Sequence, residues 1–453
     1  MGSRPNFHTV DIEIAQAILA RSVSDSDYWS FKGQATRTGA HAIFHYPAMM
    51  VAQMQGELID IVCAAQPTIS SVFDPFVGSG TILVESMNRG LHFGGCDINP
   101  LAILTCLAKI GPYKTGQLKS VAADLTARIS EDSGRRYAIA FRGQSKWFTK
   151  SANEQLSKLR RAIETVDLPW ARRLFWVVMA ETIRLTSNSR TSTFKLHIKA
   201  EKDIRKASVG AVDIFLTLLH DTLDHLAKQE EVLLTNGVLY KGQYQADISL
   251  RVEDIRQIDP RRLLGTSFDL IVTSPPYGDN LTTVPYGQFS HLPLQWIPRD
   301  DFPVEIGANL FQSSHRLDSA SLGGSKAAAL VRGDAVSDIS ASFADCFKLI
   351  KSLNTEHGKK LASFCFDFYE SLISITNAAS PNGISIWTVG NRRVSGIEVP
   401  FATILEEMLC ELGATKIISF PRRIPSKRMA VRNNTSGTMC DETILVMRMR
   451  SNN

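Results

Sequence analysis

The stretch FDLIVTSPPY, residues 268–277, constrains the possible fold more than any other part of the chain. Its apolar run, 269–272, is typical of a short strand buried in the middle of a parallel sheet. Two prolines then end the strand, because proline has no N–H to donate to a neighbouring strand. The chain must therefore leave the sheet at the strand's carboxyl end, where open α/β sheets bind their ligands.

The residues that follow this strand carry groups suited to a planar heterocycle with an amino group. They are Ser274, Pro275, Pro276 and Tyr277. The serine hydroxyl and the fixed carbonyl of Pro275 can accept both hydrogens of an amine, while the ring of Tyr277 stacks on the heterocycle. Pro-Pro could also be only a stiff loop, but the order strand, Ser, Pro, Pro, Tyr is specific. We therefore expect a catalytic stretch that uses the tyrosine ring rather than its hydroxyl.

A second motif, VFDPFVGSGT at 72–81, predicts a ligand-binding turn between a strand and a helix. The strand ends at Asp74, Gly78 and Gly80 form the turn, and a helix begins near Ile82. Glycines let the backbone pass close to a ligand, and the start of a helix offers unpaired N–H groups. A glycine pair by itself could also be a purely structural turn.

The stretch FGGCD at 93–97 strengthens the ligand-binding interpretation, because it predicts another strand that ends in an acid. An acid in that place, here Asp97, is the usual hydrogen-bond partner of a ribose diol. The third glycine of a dinucleotide-binding loop is missing, since Thr81 and Ile82 follow Gly80. The pattern therefore favours a nucleoside ligand other than NAD.

DPFVGSG, GCDINP and TSPPY resemble the cofactor-binding, ribose-binding and catalytic blocks of the S-adenosylmethionine-dependent DNA amino-methyltransferases. FHYPA, upstream, resembles that family's additional cofactor-side block. YQAD at 244–247 resembles its third block, where an acid approaches the cofactor's adenine, although a surface turn is the alternative there. The resemblance implies S-adenosylmethionine as cofactor, contacted by Tyr46, Pro47, Asp74, Phe76, Gly78, Gly80, Thr81, Asp97, Ile98 and Asp247.

The resemblance also implies the reaction. Within the family, serine before Pro-Pro-Tyr is more typical of cytosine-N4 enzymes, whereas Asp or Asn is more typical of adenine-N6 enzymes. Hydrogen bonds from the target amine to Ser274 and to the Pro275 carbonyl would free the nitrogen lone pair, and the base would be flipped out of duplex DNA against Tyr277. We therefore expect cytosine-N4 methylation in DNA, with adenine-N6 methylation as the alternative.

Three competing functions are less well supported. A cytosine-C5 methyltransferase attacks with a cysteine that follows a proline, and the chain has no Pro-Cys dipeptide. An RNA guanine-N2 methyltransferase usually carries Asp before Pro-Pro-Tyr and a separate N-terminal RNA-binding domain, for which there is little room ahead of Phe73. A DNA-binding protein that has lost catalysis is disfavoured by the intact serine and glycine motifs.

These motifs together predict an α/β fold: a doubly wound, mostly parallel, Rossmann-like methyltransferase sheet with a helical insertion. We divide the chain into an N-terminal extension (1–35), a first core part that binds cofactor (36–111), a helical, basic insertion (112–231) and a second core part with the catalytic block (232–453). A polar segment, 279–340, reads as a long loop whose beginning walls the base pocket. Later elements are a helix at 359–378, a strand at 383–389, a helix at 401–412 and a reversed edge hairpin with strands near 416–420 and 442–447.

Basic residues of the helical insertion form a candidate surface for double-stranded DNA. Basic side chains outnumber acidic ones there, and Arg190, Lys195 and Lys199 lie around the polar run 186–193. Lysine and arginine next to short hydroxyl and amide side chains suit a phosphate backbone. A solvated helix face would have a similar composition.

The closing hairpin carries a second basic cluster, Arg423, Lys427 and Arg428, with no acid before Asp441. A basic hairpin loop suits a DNA backbone better than a packed core. A cognate restriction endonuclease is a further candidate partner.

The composition is that of an ordinary globular protein, with 44% hydrophobic and 21% charged residues and a net charge of +5. The seven cysteines are odd in number and never spaced CxxC, which indicates reduced thiols in a cytoplasmic protein without a metal site. No apolar run is long enough to cross a bilayer, and no signal peptide opens the chain, so we expect no membrane contact.

Overall fold

The structure, a computed structural model, describes residues 7–34, 37–205, 209–279, 283–302, 313–424 and 441–449. Its centre is a seven-stranded sheet, accompanied by two short two-stranded ribbons. The strands are β1 (Ser71–Asp74), β2 (His92–Asp97), β3 (Leu239–Tyr240), β4 (Gln243–Tyr244), β5 (Ile248–Val252), β6 (Phe268–Thr273), β7 (Ala379–Val389), β8 (Arg392–Val394), β9 (Ile397–Val399), β10 (Thr415–Arg423) and β11 (Asp441–Arg448).

The large sheet is mostly parallel, with its strands in the order β10-β11-β7-β6-β1-β2-β5. Neighbouring strands from β7 to β5 run parallel, whereas β11 is antiparallel to both β7 and β10. The predicted doubly wound α/β fold is confirmed, and so is the reversed hairpin at its edge.

The strand order reverses at β1, in the middle of the sheet. Val72 lies opposite Phe93 of β2 on one side and opposite Leu270 of β6 on the other. All four residues of β1 are buried, as expected where helices cover both faces of a parallel sheet. In open α/β sheets such a reversal opens a crevice at the carboxyl ends of the two strands.

Helices cover both faces of the sheet. They are α1 (Phe7–Ser24), α2 (Ala52–Ala65), α3 (Thr81–Asn88), α4 (Pro100–Ile110), α5 (Thr115–Glu131), α6 (Gln144–Trp147), α7 (Lys150–Glu164), α8 (Pro169–Thr186), α9 (Glu201–Arg205), α10 (Ala211–Thr235), α11 (Tyr286–Trp296), α12 (Arg316–Ala320), α13 (Ala329–Ser337), α14 (Ala341–Leu353), α15 (Thr355–Ala378) and α16 (Phe401–Glu411). One hydrophobic cluster takes residues from α1 to α4 and from α7, α8 and α10, and a second takes residues from α14 to α16. The sheet is therefore buried between two helical layers.

The segment 112–231 contains helices α5 to α9 and most of α10. Leu156, Leu159 and Ile163, which the sequence places on one amphipathic face, are fully buried on α7. Helix α10 contacts both α5 and α8, and α8 also packs against α4. The helical segment is therefore attached to the helix that directly follows β2.

The prediction of a long loop at 279–340 is wrong for the part of this segment that the structure describes, because α11, α12 and α13 lie there. Phe289, Leu292 and Trp296 are buried on α11 at helical spacing. These few apolar residues lie among many small and polar ones, so the sequence pattern of the helix is weak. The segment contributes packed structure next to β6 rather than an open loop.

Within the described residues, no helix combines the length and the apolar character needed to cross a membrane. The cysteines in those residues carry free thiols.

Candidate active site

A cavity that is open to solvent lies at the carboxyl ends of the parallel strands, where the strand order reverses. Four strands supply its lining. Residues 75–79 follow β1, Asp97 ends β2 and residues 98–99 follow it, 253–255 follow β5, and Ser274 and Pro276 follow β6. The structure therefore brings the glycine motif, the acid of the second strand and the serine–proline motif to one place.

The remaining walls come from residues outside these strand ends. Residues 46–50 form one side, which includes the predicted Tyr46 and Pro47. The connection between β6 and β7 supplies Tyr286, Leu317 and the pair 321–322. Tyr286 belongs to the expected wall of the base pocket, whereas nothing in the sequence pointed to the others.

The glycine motif has the backbone shape that its composition predicts. Gly78 and Gly80 both have left-handed φ angles, +49° and +78°, which favour glycine. A Cβ on Gly80 would lie 2.8 Å from the Cys106 sulfur, so the turn also has no room for a side chain there. Gly80 caps the amino end of α3, which begins with Thr81. The loop thus passes close to the cavity and turns directly into a helix.

Asp97 fixes this loop and lines the cavity. One of its carboxylate oxygens accepts a hydrogen bond from the Gly78 N–H at 3.0 Å, and the other accepts one from the Asn99 N–H at 2.8 Å. Burial raises the pKa of the Asp97 carboxyl to about 6. A carboxylate has about four acceptor positions, so Asp97 keeps acceptor capacity for a diol in the cavity.

Asp74, at the end of β1, is fully buried beside the cavity-lining pair 75–76. Its Oδ1 accepts hydrogen bonds from the Thr273 hydroxyl at 2.7 Å and from the Phe76 N–H at 3.1 Å. Its Oδ2 has no hydrogen-bond partner among the described residues. Burial raises the pKa of this carboxyl to about 7. An unpartnered buried carboxylate fits a ligand that brings positive charge.

The serine–proline motif divides between the cavity and the core. Ser274 and Pro276 line the cavity, whereas Pro275 is buried behind them. Tyr277 is half-buried and does not line the cavity, and burial raises the pKa of its hydroxyl well above the usual value. That hydroxyl lies 3.1 Å from the Ser274 hydroxyl and donates to Glu442 at 3.1 Å. The tyrosine hydroxyl therefore has two partners, although the sequence suggested a role for the ring alone.

Tyr46 forms a rigid aromatic wall. Its ring is stacked on that of Tyr286, with centroids 5.7 Å apart and planes inclined by 23°. Its hydroxyl accepts a hydrogen bond from the Asn99 side-chain amide at 2.8 Å, and the same amide donates to the Ser290 hydroxyl at 2.7 Å. These contacts connect the FHYPA motif to the loop that follows β2.

Asp247 does not lie at the cavity, contrary to the prediction. It precedes β5, at the amino end of that strand, and its carboxylate is 83% exposed and 3.2 Å from the His92 ring. The cavity instead takes Glu253 and Asp254, which follow the carboxyl end of β5. The rule that located Asp97, an acid at the carboxyl end of a strand, could have found this pair from the sequence.

Asp254 belongs to a charged network next to the cavity. Arg256 contacts Asp254 at 2.5 Å and Asp367, on α15, at 3.0 Å. Asp367 also accepts a hydrogen bond from the Gly323 N–H at 2.8 Å. The network therefore connects the loop after β5 to the cavity wall at 321–322 and fixes their relative positions.

The predicted DNA-contacting residues differ in their surroundings. Arg190 and Lys195 are exposed, but Lys199 is half-buried and its ammonium donates to the Ser187 carbonyl at 2.8 Å. Desolvation lowers the pKa of Lys199. Arg423 is 74% exposed and 3.7 Å from Asp27. The predicted residues 427 and 428 lie outside the described residues.

In the part of the chain that the structure describes, no group of three or more His, Cys, Asp or Glu side chains could hold a metal ion.

Comparison with known proteins finds a relative that matches along almost the whole chain. The chain is 29% identical over 451 residues to the type II methyltransferase M.MvaI of Kocuria varians, which covers 95% of this chain and 96% of the relative. It is 37% identical over 62 residues to the type II methyltransferase M.MjaII of Methanocaldococcus jannaschii, a match that covers 14% of this chain and 12% of the relative. No protein-family model matches the chain.

Among solved structures, the chain is similar to the rRNA methyltransferase aviRa from Streptomyces viridochromogenes, with a TM-score of 0.33 and 12% sequence identity. That match covers 90% of this chain and 89% of the other. So low a TM-score supports no conclusion about function.

Proposed function

Because the chain is an S-adenosylmethionine-dependent methyltransferase, we propose that it transfers a methyl group to the N4 amine of a cytosine in duplex DNA. The observation that carries this proposal is the position of Ser274, which lies at the end of β6 in the cavity that Asp97 and the glycine motif also line. The relative that matches along 95% of the chain is a type II methyltransferase, which supports action on DNA.

S-adenosylmethionine is the methyl donor, and when bound it supplies a methyl group attached to a positively charged sulfur. The residues around the cavity fit this cofactor. Asp97 has acceptor capacity for ribose hydroxyls, and Glu253 and Asp254 are acids at the end of the adjacent strand. Asp74 keeps an unpartnered carboxylate oxygen, which suits a cation nearby. We assign cofactor binding to these residues and to Tyr46 and the loop 76–81.

The target amine would be held by acceptors at the end of β6. The lone pair of an exocyclic amine is delocalised into the ring, so the amine is a poor nucleophile until its hydrogens are bound out of the ring plane. We assign the two acceptor roles to the hydroxyl oxygen of Ser274, which lines the cavity, and to the carbonyl of Pro275, the residue between the cavity-lining Ser274 and Pro276. S-adenosylmethionine, held by Asp97 and the loop 76–81, would supply the methyl group to the nitrogen lone pair that these acceptors free, and the proton that the amine loses would pass to water in the open cavity.

The target base cannot reach these acceptors while it is paired inside a duplex. We therefore infer that it is flipped out of the helix into the open cavity. We assign the stacking on this base to the ring of Tyr277, which directly follows the cavity-lining Pro276, and stacking a displaced base contributes about 1–3 kcal/mol. Adenine, whose N6 amine could use the same two acceptors, is the second candidate substrate. Ser274 in place of Asp or Asn favours cytosine.

Arg190 and Lys195 are the side chains that we assign to the DNA backbone in the helical segment, together with Arg423 of the edge hairpin. All three are exposed, as phosphate contacts must be. Lys199 is less suited, because its ammonium is bound to the Ser187 carbonyl. In a restriction–modification system the enzyme would work in the cytoplasm beside a cognate endonuclease.

The direct test is to sequence DNA from cells that express the chain, with detection of N4-methylcytosine and N6-methyladenine. We expect N4-methylcytosine in one recurrent sequence context, and none in cells that express Ser274→Ala. N6-methyladenine instead would refute the cytosine assignment while keeping the amine mechanism. Methylation of RNA alone, with none in DNA, would refute the proposed substrate.

DNA contact is tested by the salt dependence of binding. Replacing Arg190 and Lys195 with glutamine should reduce the slope of log affinity against log salt by about 0.9 for each lost phosphate contact. A matched control replaces Arg135 and Arg136, two exposed arginines elsewhere in the helical segment. Equal slopes for both double variants would show that net charge, rather than this surface, determines binding.

A further inference from the structure

A chain of hydrogen bonds connects Ser274 to the edge hairpin of the sheet. The Ser274 hydroxyl is 3.1 Å from the Tyr277 hydroxyl, which donates to Oε1 of Glu442 at 3.1 Å. The other carboxylate oxygen of Glu442, which lies on β11, accepts from Arg422 on β10. Arg422 in turn donates from its Nε to the Trp29 carbonyl at 3.1 Å. A cavity residue is thus connected to a carboxylate that lies outside the cavity.

The surroundings of Glu442 determine which way these hydrogens point. The side chains of Arg422 and Glu442 are only 6% and 15% exposed and form an ion pair. An ionised carboxylate can only accept, so the single hydrogen of the Tyr277 hydroxyl is used for Glu442. The hydrogen between Ser274 and Tyr277 must therefore come from Ser274. The lone pairs of the Ser274 oxygen remain available to the cavity.

We propose that Glu442 is a positioning residue for methyl transfer, which keeps the Ser274 oxygen an acceptor toward the target amine by fixing the direction of these hydrogen bonds. The proposal rests on the proposed function, since an acceptor at this place is needed only if the substrate is an amine. Without this constraint the serine hydrogen could rotate toward the amine and oppose its hydrogens. Glu442 acts through Tyr277 and Ser274 and has no contact with the substrate.

The competing explanation is that Glu442 only binds Arg422 and so holds the hairpin in place. Glu442→Gln separates the two explanations. The arginine needs an acceptor, so the glutamine oxygen will face Arg422 and its amide nitrogen will face Tyr277. The amide then donates to Tyr277, and Tyr277 donates to Ser274, which reverses the direction of the hydrogen bonds. The contact between residues 422 and 442 is retained.

The experiment measures single-turnover methyl transfer, at saturating DNA and cofactor, for four proteins: the wild type, Glu442→Gln, Tyr277→Phe and the double variant. We expect Glu442→Gln to slow transfer about ten-fold, because the loss of a well-oriented hydrogen bond to a polar partner has this size. In the Tyr277→Phe background the same change should alter the rate by less than about two-fold, since the connecting hydroxyl is gone. Cofactor affinity should not change. Asp441→Asn, an exposed carboxylate-to-amide change on the same strand, is the matched control and should retain the wild-type rate.

Equal slowing by Glu442→Gln in both backgrounds would overturn the proposal, because the effect would not pass through Tyr277. A wild-type rate for Glu442→Gln or for Tyr277→Phe would also overturn it. Tyr277→Phe keeps the aromatic ring and leaves the ion pair between Arg422 and Glu442 intact, so it tests the proposal even if Glu442→Gln folds poorly. If the wild-type protein transfers no methyl group to a DNA amine, the proposed function itself fails. If instead the wild type transfers methyl groups and the variants do so at the same rate, only the proposal about Glu442 fails.

Discussion

Two loops leave the sheet side by side, and they are held in different ways. The glycine loop (74–81) follows β1, and the proline loop (273–277) follows the neighbouring strand β6. The hydrogen bond from Thr273 to Asp74, 2.7 Å long, joins them at their base. Both reach the same cavity, so their differences reflect the tasks that we assign to them.

Apart from the hydrogen bond with Thr273 at its base, the glycine loop is fixed by contacts that are close in sequence. Its Gly78 N–H donates to Asp97, only 19 residues away, and its end caps the helix that it begins. The proline loop has a backbone stiffened by its own residues, but its side chains depend on Glu442, which is 165 residues from Tyr277. A loop that offers backbone to a cofactor can be specified locally. A loop that offers oriented side chains needs support from a distant strand.

We expect the largest effect from a substitution in the proline loop that leaves the glycine loop unchanged. Ser274→Ala should reduce the single-turnover rate of methyl transfer about 100-fold, because one acceptor for the reacting amine is lost. Cofactor affinity, measured by calorimetry, should be unchanged, and a fluorescent base analogue should still report base flipping. A normal transfer rate would mean that the amine is held elsewhere, and the case for cytosine would lose its main support.

We expect the next largest effect from substitutions that disturb the glycine loop and leave the proline loop unchanged. Asp97→Ala should weaken S-adenosylmethionine binding by about 1–3 kcal/mol, since a ribose hydroxyl and the Gly78 N–H both lose an acceptor. Gly78→Val should also weaken binding, because valine at a φ of +49° is strained and its side chain would meet the Tyr46 ring. Calorimetry measures both variants. Unchanged affinity in both would show that the cofactor lies elsewhere.

The same carboxylate predicts a pH dependence of cofactor affinity. The pKa of Asp97 is raised by burial to about 6, so its charge is lost as the pH falls through that value. If the charged form accepts from ribose, affinity should decline below pH 6 in the wild type. The decline should be smaller in Asp97→Asn, which is weaker but cannot titrate. Parallel curves for the two proteins would assign the decline to another group.

We expect the smallest effect at Asp74, which joins the two loops at their base, and it concerns the pH dependence of stability. The pKa of Asp74 is about 7 in the folded protein, above its unfolded value of about 4. The folded state therefore holds an extra proton between these values, and the free energy of unfolding falls as the pH rises through this window. Without cofactor, the melting temperature should drop between pH 5 and pH 8, and the drop should be smaller for Asp74→Asn. An equal drop in both would mean that Asp74 does not titrate in this range.

Local sequence was sufficient for the parts of the site that depend on local geometry. Gly78, Gly80 and Asp97 could be recognised because a turn with left-handed backbone and an acid at a strand end have short, specific patterns. The burial of β1 and β6 also follows from their composition. The mostly parallel sheet and its reversed edge hairpin were predicted with the help of the family resemblance, and the structure agrees with both. The order of the strands was not predicted.

The sequence was less informative where partners are remote. Glu442 has no local pattern that connects it to Tyr277, since the contact exists only once β11 lies in the sheet. Leu317 and the pair 321–322 belong to a segment whose Gly323 N–H donates to Asp367, and Asp367 also binds Arg256, so their position at the cavity depends on contacts that are remote in sequence. The prediction that Asp247 contacts the cofactor was wrong for another reason. It followed the resemblance of YQAD to a family motif, although ligands bind at the carboxyl ends of parallel strands and Asp247 precedes its strand.

The cavity takes its walls from Tyr46 through Leu322, so no short piece of the chain can build it. During synthesis, β1 and β2 leave the ribosome early, but β5, the neighbour of β2, follows only after the long helical segment. We expect that a nascent chain halted before Leu317 cannot retain S-adenosylmethionine, even though its glycine motif is complete. Cofactor capture then requires that the chain has been made at least as far as Leu322, and the methyl donor becomes a ligand that stabilises only molecules whose cavity is complete.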